Sequence, residues 1–168
     1  MVTEPVVTVS VAEEPDLPQP PTSASTGGTS PRWEVASLDA IKAVVGSVVA
    51  PGSVPFGFRR LESILLFGKH VRQVFGDGEQ VFQIHQSPKA RITAKSGYLS
   101  TLTVGGREAY LLRGAWTTMG GGPWRWDPAI GSSVLVQVGD WAVEVSSYGK
   151  AKLDSEALLH IVESLALY

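Results

Sequence analysis

Apolar and polar residues alternate in short runs from about residue 70 to residue 145, and turn residues separate these runs in pairs. The turn residues are of types that tolerate a positive φ, which primed hairpin turns require. The pattern therefore predicts three antiparallel hairpins. Their runs and turns are 71–75 and 80–85 around Asp77-Gly78, 99–104 and 107–112 around Gly105-Gly106, and 134–138 and 141–145 around Gly139-Asp140.

The third hairpin predicts its own register. A slip by one residue would move a whole apolar set to the other face, so a match on one face specifies the pairing. We therefore expect Trp141 to face the core. A two-residue loop at positions 139 and 140 aligns three apolar pairs: Val138 with Trp141, Val136 with Val143, and Val134 with Val145.

Two other segments have a helical period, one before and one after the strand runs in the sequence. Ser37 is a plausible N-cap for a short helix that Gly46 would end. Near the end of the chain, Asp154 or Ser155 can cap an amphipathic helix. Antiparallel strands flanked by terminal helices predict an α+β fold. The apolar stripe of the second helix is Leu158, Ile161, Val162 and Leu165.

The first 31 residues show neither period. They hold six of the 11 prolines, a Ser/Thr-rich stretch over residues 22–30 and no aromatic residue. Such a segment cannot bury enough apolar surface to offset the entropy of ordering. We predict a disordered tail or linker over residues 1–33 and a single domain over residues 34–168. Removal of the tail should then leave the melting temperature nearly unchanged.

Charge and composition narrow the functional classes. The first 31 residues carry four acids and no base, so the remainder, with 14 Lys and Arg against 12 acids, has a net charge of +2. A nearly neutral domain gives no case for nucleic-acid binding. The absence of cysteine excludes disulfides and thiolate chemistry. No apolar run spans a membrane and no signal peptide is recognisable, so we expect any targeting segment outside this chain.

No pattern of residues marks a catalytic centre, and we predict a non-enzyme without a cofactor. Gly120-Gly121-Gly122 lacks the Lys-Ser/Thr that a phosphate loop needs. The Asp77-Gly78 turn would oppose His70 and His85, whose imidazoles could then reach one ion. Because no third ligand is evident, two solvated histidines are the favoured interpretation and no metal site is predicted.

The segment 114–131, here called the Trp-rich segment, is the most unusual. Aromatic rings on a loop suggest a ligand or partner surface, although the same rings could simply cap one end of the core, which is the favoured alternative. As the functional hypothesis, residues 114–127 form a mobile flap over a hollow between the sheet and the C-terminal helix. The candidate surface comprises Arg113, Trp116, Met119, Trp124, Arg125 and Trp126.

Several weak motifs, in a fixed order over roughly residues 37–166, resemble the DUF4367 family. The connector 51–58 resembles that family's opening Pro-x-x-x-Pro-x-Gly-aromatic pattern, and Ser37-Leu38-Asp39-Ala40 resembles its lead helix. Further similar stretches are Phe75-Gly76-Asp77-Gly78, 81–86, 104–109, 141–146, 153–159 and 161–165.

The resemblance implies an extracytoplasmic bacterial domain, with a curved, half-barrel-like antiparallel sheet that holds a helix. The family often follows a transmembrane helix in proteins resembling anti-sigma factors, and it has no established catalytic residues. We therefore expect a monomeric sensory or protein-interaction domain of a membrane-anchored regulator, which binds a protein or an apolar small molecule. The alternative is a carrier that holds a lipid or other apolar ligand in the hollow of the sheet.

Overall fold

The computed structural model describes residues 5–13, 34–35, 37–66, 69–118 and 120–168. Within these ranges the chain is mostly β, with two helices. The helices are α1 (Leu38–Val45) and α2 (Ser155–Glu163). The strands are β1 (Val7–Val11), β2 (Glu34–Val35), β3 (Val49–Pro51), β4 (Arg59–Leu66), β5 (His70–Gly76), β6 (Val81–Ser87), β7 (Ala90–Ala94), β8 (Leu99–Val104), β9 (Arg107–Thr117), β10 (Arg125–Val138), β11 (Trp141–Tyr148) and β12 (Leu165–Leu167).

Among the described residues, eight strands form one large antiparallel sheet in the order β2-β4-β5-β6-β11-β10-β9-β8. The sheet is open, with β2 and β8 at its two edges. β3 pairs with β12, and β1 pairs with β7, in two separate two-stranded sheets. The predicted antiparallel sheet is therefore present, and its interior strands include the β10–β11 hairpin with the predicted apolar pairs.

Two of the three predicted hairpin registers are confirmed. Val104 lies opposite Arg107 across the Gly105-Gly106 turn. Val138 lies opposite Trp141, and both remaining apolar pairs follow as predicted. The turn residues therefore fixed these two loops at the two-residue length.

The predicted register of the first hairpin, between β5 and β6, is wrong: it differs from the observed pairing by two positions. Gly76 lies opposite Val81, so the loop has four residues rather than two. The Asp77 carboxylate accepts hydrogen bonds from the backbone N–H groups of Glu79 and Gln80, at 2.8 and 2.7 Å, and stabilises this wider turn. Because the shift is even, each side chain stays on its predicted face.

The main core lies on one face of the sheet, here called the α2 face. Strand residues such as Val136 and Val143 belong to one buried cluster with Leu158, Ile161 and Val162 of α2. The alternate residues, including Leu135 and Glu144, point to the other face, here called the β7 face. The sheet therefore has two buried faces, and β10 and β11 contribute to both.

Both helices begin at the predicted caps. The Ser37 hydroxyl accepts a hydrogen bond from the Ala40 N–H, and the Asp154 carboxylate accepts one from the Ala157 N–H. Gly46, with φ of 92°, ends α1 as predicted. Leu165 lies in β12 opposite Pro51, beyond the end of α2, yet it stays buried in the main core. Among the described residues, neither helix is both long and apolar enough to cross a membrane.

β1 lies inside the segment for which the sequence predicts disorder. It runs parallel to β7 through five residue pairs, from Val7 with Ala90 to Val11 with Ala94. The structure therefore differs from that prediction over residues 7–11. The missed signal is the alternation Val-Thr-Val-Ser-Val, which has the period of a strand. The other residues of the predicted tail, apart from those adjoining β1, lie outside the described residues.

Candidate functional site

Most of the described residues in the Trp-rich segment belong to the long β9–β10 hairpin rather than to a loop. Trp116 lies opposite Trp126, and the rings meet edge to face with centroids 5.3 Å apart. The Trp116 Nε1–H donates to the Thr93 carbonyl at 2.8 Å, and the Trp126 Nε1–H donates to the Arg113 carbonyl at 3.1 Å. Both indoles are therefore anchored through their only polar atoms.

The two rings lie on the β7 face, away from the hollow beside the C-terminal helix that the sequence analysis proposed. Side chains along β9 point alternately to the two faces of the sheet. Ala109 therefore belongs to the main core on the α2 face, while Leu112 and Gly114 line a cavity on the β7 face. Trp116 and Trp126 line the same cavity. The prediction that residues 114–127 form a flap over the α2 face is therefore wrong, because strand alternation directs these rings to the β7 face.

The six predicted surface residues divide into two groups. Of the five that the structure describes, only the two paired indoles line the cavity. Arg113 and Arg125 are exposed and do not line it, and Trp124 is half-buried just before β10. Met119 lies outside the described residues. The structure thus brings together Trp116 and Trp126 and leaves the two arginines elsewhere.

The cavity has a volume of about 260 Å³ and lies between the β7 face of the sheet and β7 itself. We call it the indole–carboxylate cavity, because two indole rings and one carboxyl converge in its wall. Its lining comprises Arg91, Ile92, Thr93, Leu112, Gly114, Ala115, Trp116, Trp126, Ser133, Glu144 and Tyr148.

A backbone irregularity in β10 shapes one end of this cavity. The β9–β10 register shifts between Asp127 and Ser132. Gly114 has φ of 102°, and a Cβ there would come within 2.5 Å of the Asp127 carbonyl oxygen. Only glycine permits that close approach of two strands. Beside this bulge the Trp126 Nε1–H reaches the Arg113 carbonyl, and Gly114 and Ser133 line the cavity.

Glu144 supplies the carboxyl of the site from the middle of β11. The strand around it is apolar, with Val143 and Val145 fully buried on the α2 face. The Glu144 side chain is half-buried and lines the cavity, where neighbouring residues surround most of its carboxyl. Burial raises the pKa of Glu144, and a hydrogen bond with Ser133 opposes this increase.

Tyr148 lies on the same strand and shares the hydroxyl of Ser133 with Glu144. Burial and the nearby Glu144 raise the pKa of Tyr148 to about 12, so the phenol stays protonated. The Ser133 hydroxyl opposes the pKa increase of both groups, so it lies within reach of the Glu144 carboxyl and of the Tyr148 phenol.

The β7 face continues from Glu144 to a second polar group on β5 and β6. His85 lies opposite Glu144, and Arg72 lies opposite His85. Burial lowers the pKa of His85, and the charges of His70 and Arg72 lower it further. His85 is therefore neutral at neutral pH and does not balance a charge on Glu144.

The two predicted histidines do meet, although their register differs from the prediction. His70 Nδ1 lies 3.1 Å from His85 Nε2, so one imidazole donates a hydrogen bond to the other. They reach each other along a diagonal of the sheet rather than directly across it. Nowhere in the described ranges do three or more His, Cys, Asp or Glu side chains form a group that could hold a metal ion.

Comparisons with family models, with curated proteins and with solved structures found no match for this chain. The resemblance to the DUF4367 family therefore stays a prediction. The site itself includes residues that sequence reasoning missed, chiefly Ser133, Glu144 and Tyr148. For Glu144 a signal exists, because it is the one charged residue in the otherwise apolar run 141–145. A charge inside a predicted core strand marks either a solvated face or a buried polar site.

Proposed function

We propose that this chain is a non-catalytic ligand-binding domain and that the indole–carboxylate cavity is its binding site. The observation that carries the proposal is the convergence of two anchored indoles and one enclosed carboxyl in a single concavity. Small-molecule sites are concave and largely apolar, with a few placed polar groups. The volume of about 260 Å³ lies just below the usual range of roughly 300–1,000 Å³, which favours a small ligand.

The polar groups of the cavity support binding rather than catalysis. Nucleophilic catalysis needs an accessible nucleophile with a base within reach. Ser133 is 2% exposed, which leaves its hydroxyl little access to a substrate, and it lies beside Glu144 and Tyr148 in the cavity wall. We therefore assign no catalytic residue and no cofactor, and we treat these three side chains as parts of a recognition site.

The family resemblance supplies a setting for this binding. We propose an extracytoplasmic sensory or protein-interaction domain of a membrane-anchored regulator that resembles anti-sigma factors, built on a curved, half-barrel-like sheet with α2 packed on it. Occupancy of the cavity has a route to the N-terminal segment, because β7 lines the cavity and also pairs with β1. A ligand that stabilises β7 would then stabilise the docked β1 as well.

A carrier of a lipid or another apolar ligand is the second candidate. It is favoured by the apolar part of the lining, which includes Ile92, Leu112 and both indoles. Glu144 argues against an acyl chain as occupant, because such a chain would leave an enclosed carboxyl without a partner. Native mass spectrometry of the purified chain separates the two candidates, since co-purified long-chain lipid would favour the carrier.

The binding proposal is tested by ligand-observed NMR with one-ring aromatic probes on the full chain. We expect saturable binding that Ile92→Trp abolishes, because the larger side chain fills the cavity from β7. Thr101→Trp is the matched control, since Thr101 is exposed and does not line the cavity. Absence of any binding, or binding that Ile92→Trp leaves unchanged, would contradict the proposal.

A further inference from the structure

We propose that the ligand of the indole–carboxylate cavity is a small organic ammonium ion with an apolar ring or chain. The ammonium group would lie against Glu144, and the apolar part would lie against Trp116 and Trp126. This inference rests on the proposed function, and it adds the chemical class of the ligand.

Glu144 has no ion-pair partner among the residues that the structure describes. Taking a carboxylate out of water is costly unless an opposite charge and hydrogen bonds compensate. Of the surrounding residues, Ser133 supplies a hydrogen bond, while His85 on the facing strand is neutral at neutral pH. Arg91 is exposed at the cavity edge, and no ion pair joins it to Glu144. A bound ammonium would supply the charge that the described neighbours do not.

The indoles of Trp116 and Trp126 offer a ligand aromatic surface rather than hydrogen-bond donors. Each Nε1–H is already donated to a backbone carbonyl, so neither tryptophan has a hydrogen-bond donor left for a ligand. What remains is aromatic surface, which attracts cations within about 6 Å of the ring centroid and repels anions. The edge-to-face contact of the two rings fixes their mutual orientation at 82°. The cavity wall is therefore arranged for a cation or an apolar group.

Other ligand classes fit less well. An anion would meet Glu144 and aromatic surface, with only the exposed Arg91 to attract it. A neutral apolar molecule would fill the space but would leave Glu144 without a counter-charge. An ammonium can also donate to the Tyr148 oxygen, which stays protonated and carries free lone pairs. An amine is thus the class that uses Glu144, Tyr148 and both indoles.

The test compares three probes with nearly the same skeleton, namely phenethylamine, 2-phenylethanol and phenylacetate. Titration calorimetry on the full chain at pH 8 should give an affinity for phenethylamine at least tenfold above that for 2-phenylethanol, and no detectable binding of phenylacetate. Glu144→Gln, which keeps the size of the side chain, should reduce the amine preference below about threefold and leave 2-phenylethanol binding unchanged. Trp126→Phe should weaken phenethylamine more than 2-phenylethanol, because indole is the strongest cation–π partner.

Glu108→Gln is the matched control, because Glu108 is an exposed carboxylate on β9, two strands from β11, and does not line the cavity. It should leave all three affinities unchanged, and thermal melting should show that each variant is folded. Equal binding of phenethylamine and 2-phenylethanol would overturn the amine inference and leave the proposed function standing. Binding of none of the three probes would overturn both.

Discussion

Glu144, the carboxyl of the proposed binding site, also makes the free energy of unfolding depend on pH. Burial raises its pKa in the folded chain above the unfolded value of about 4.3. The folded state then holds a proton that the unfolded state has lost, so the free energy of unfolding falls as pH rises through the folded pKa. The stabilisation is fully present below about pH 4.3. Without a bound cation, Glu144 therefore destabilises the domain at neutral and alkaline pH.

We expect Glu144→Gln to be more stable than the wild-type chain at pH 8 by about 1–3 kcal/mol, the usual cost of burying an uncompensated polar group. The difference should shrink towards zero near pH 4, and chemical denaturation across this range measures it. The other titratable groups around Glu144, namely Arg91, His85 and Tyr148, are common to both proteins, so their effects largely cancel in the difference. A stability difference that is independent of pH, or that widens in acid, would contradict the conclusion that burial raises the pKa of Glu144.

Trp141 is the second residue whose role can be measured. Its ring packs against the main core and also against a smaller cluster that contains Ile41 of α1. Its Nε1–H donates to the Ser47 hydroxyl at 2.9 Å. We expect Trp141→Ala to cost about 3 kcal/mol, the low end for a core aromatic because the ring is only half-buried.

Trp141→Phe separates packing from hydrogen bonding in the same position. It keeps most of the ring and should cost about 1 kcal/mol through loss of the hydrogen bond. Adding Ser47→Ala to it should then cost little more, because the two changes remove one interaction. A loss below about 0.5 kcal/mol for Trp141→Ala would mean that the ring contributes little to either cluster.

At the scale of elements, β1 is the least expected strand. It is tied to β7 at both ends, since the Ala90 N–H donates to the Val6 carbonyl and the Ala12 N–H donates to the Ala94 carbonyl, both at 2.9 Å. β7 has β1 as its strand partner among the described residues, because it does not belong to the eight-stranded sheet. Without β1, the wall of the cavity that β7 forms would lose its backbone support.

Deletion of residues 1–13 should therefore lower the free energy of unfolding by about 1–2 kcal/mol, or the melting temperature by roughly 3–8 °C. Amide exchange at Ala90 should accelerate, because its N–H loses the Val6 carbonyl. Deletion of residues 1–4 alone is the control and should change neither quantity. An unchanged melting temperature after the longer deletion would restore the sequence-based view of the tail as a dispensable linker.

At the scale of the whole molecule, the cavity depends on four segments that are distant in sequence. β7 supplies Thr93, β9 supplies Trp116, β10 supplies Ser133 and β11 supplies Glu144. In the β10–β11 hairpin, one set of side chains packs in the main core on the α2 face, and the alternate set points to the β7 face, where the cavity lies. Substitutions that loosen the core should therefore also disturb the site, because the same two strands position both.

The sequence by itself determined the parts of the fold that depend on neighbours in the chain. The caps of both helices and the Gly105-Gly106 and Gly139-Asp140 turns were predictable, because a local backbone preference fixes each of them. The first hairpin was misjudged even at this range. There the Asp77 side chain favours a four-residue loop over the two-residue turn that Asp-Gly suggests.

Only the tertiary structure decided the order of the strands, the docking of β1 on β7 and the composition of the cavity. Alternation along β11 shows that Glu144 lies opposite the apolar face, but it does not show whether that second face meets water or another layer. In the folded chain, β7 and β1 cover this second face. The physical reason is that the burial of a side chain depends on segments that are distant in sequence and pack against it only in the folded state. A carboxyl that the sequence would place in solvent therefore lies enclosed beside two indoles.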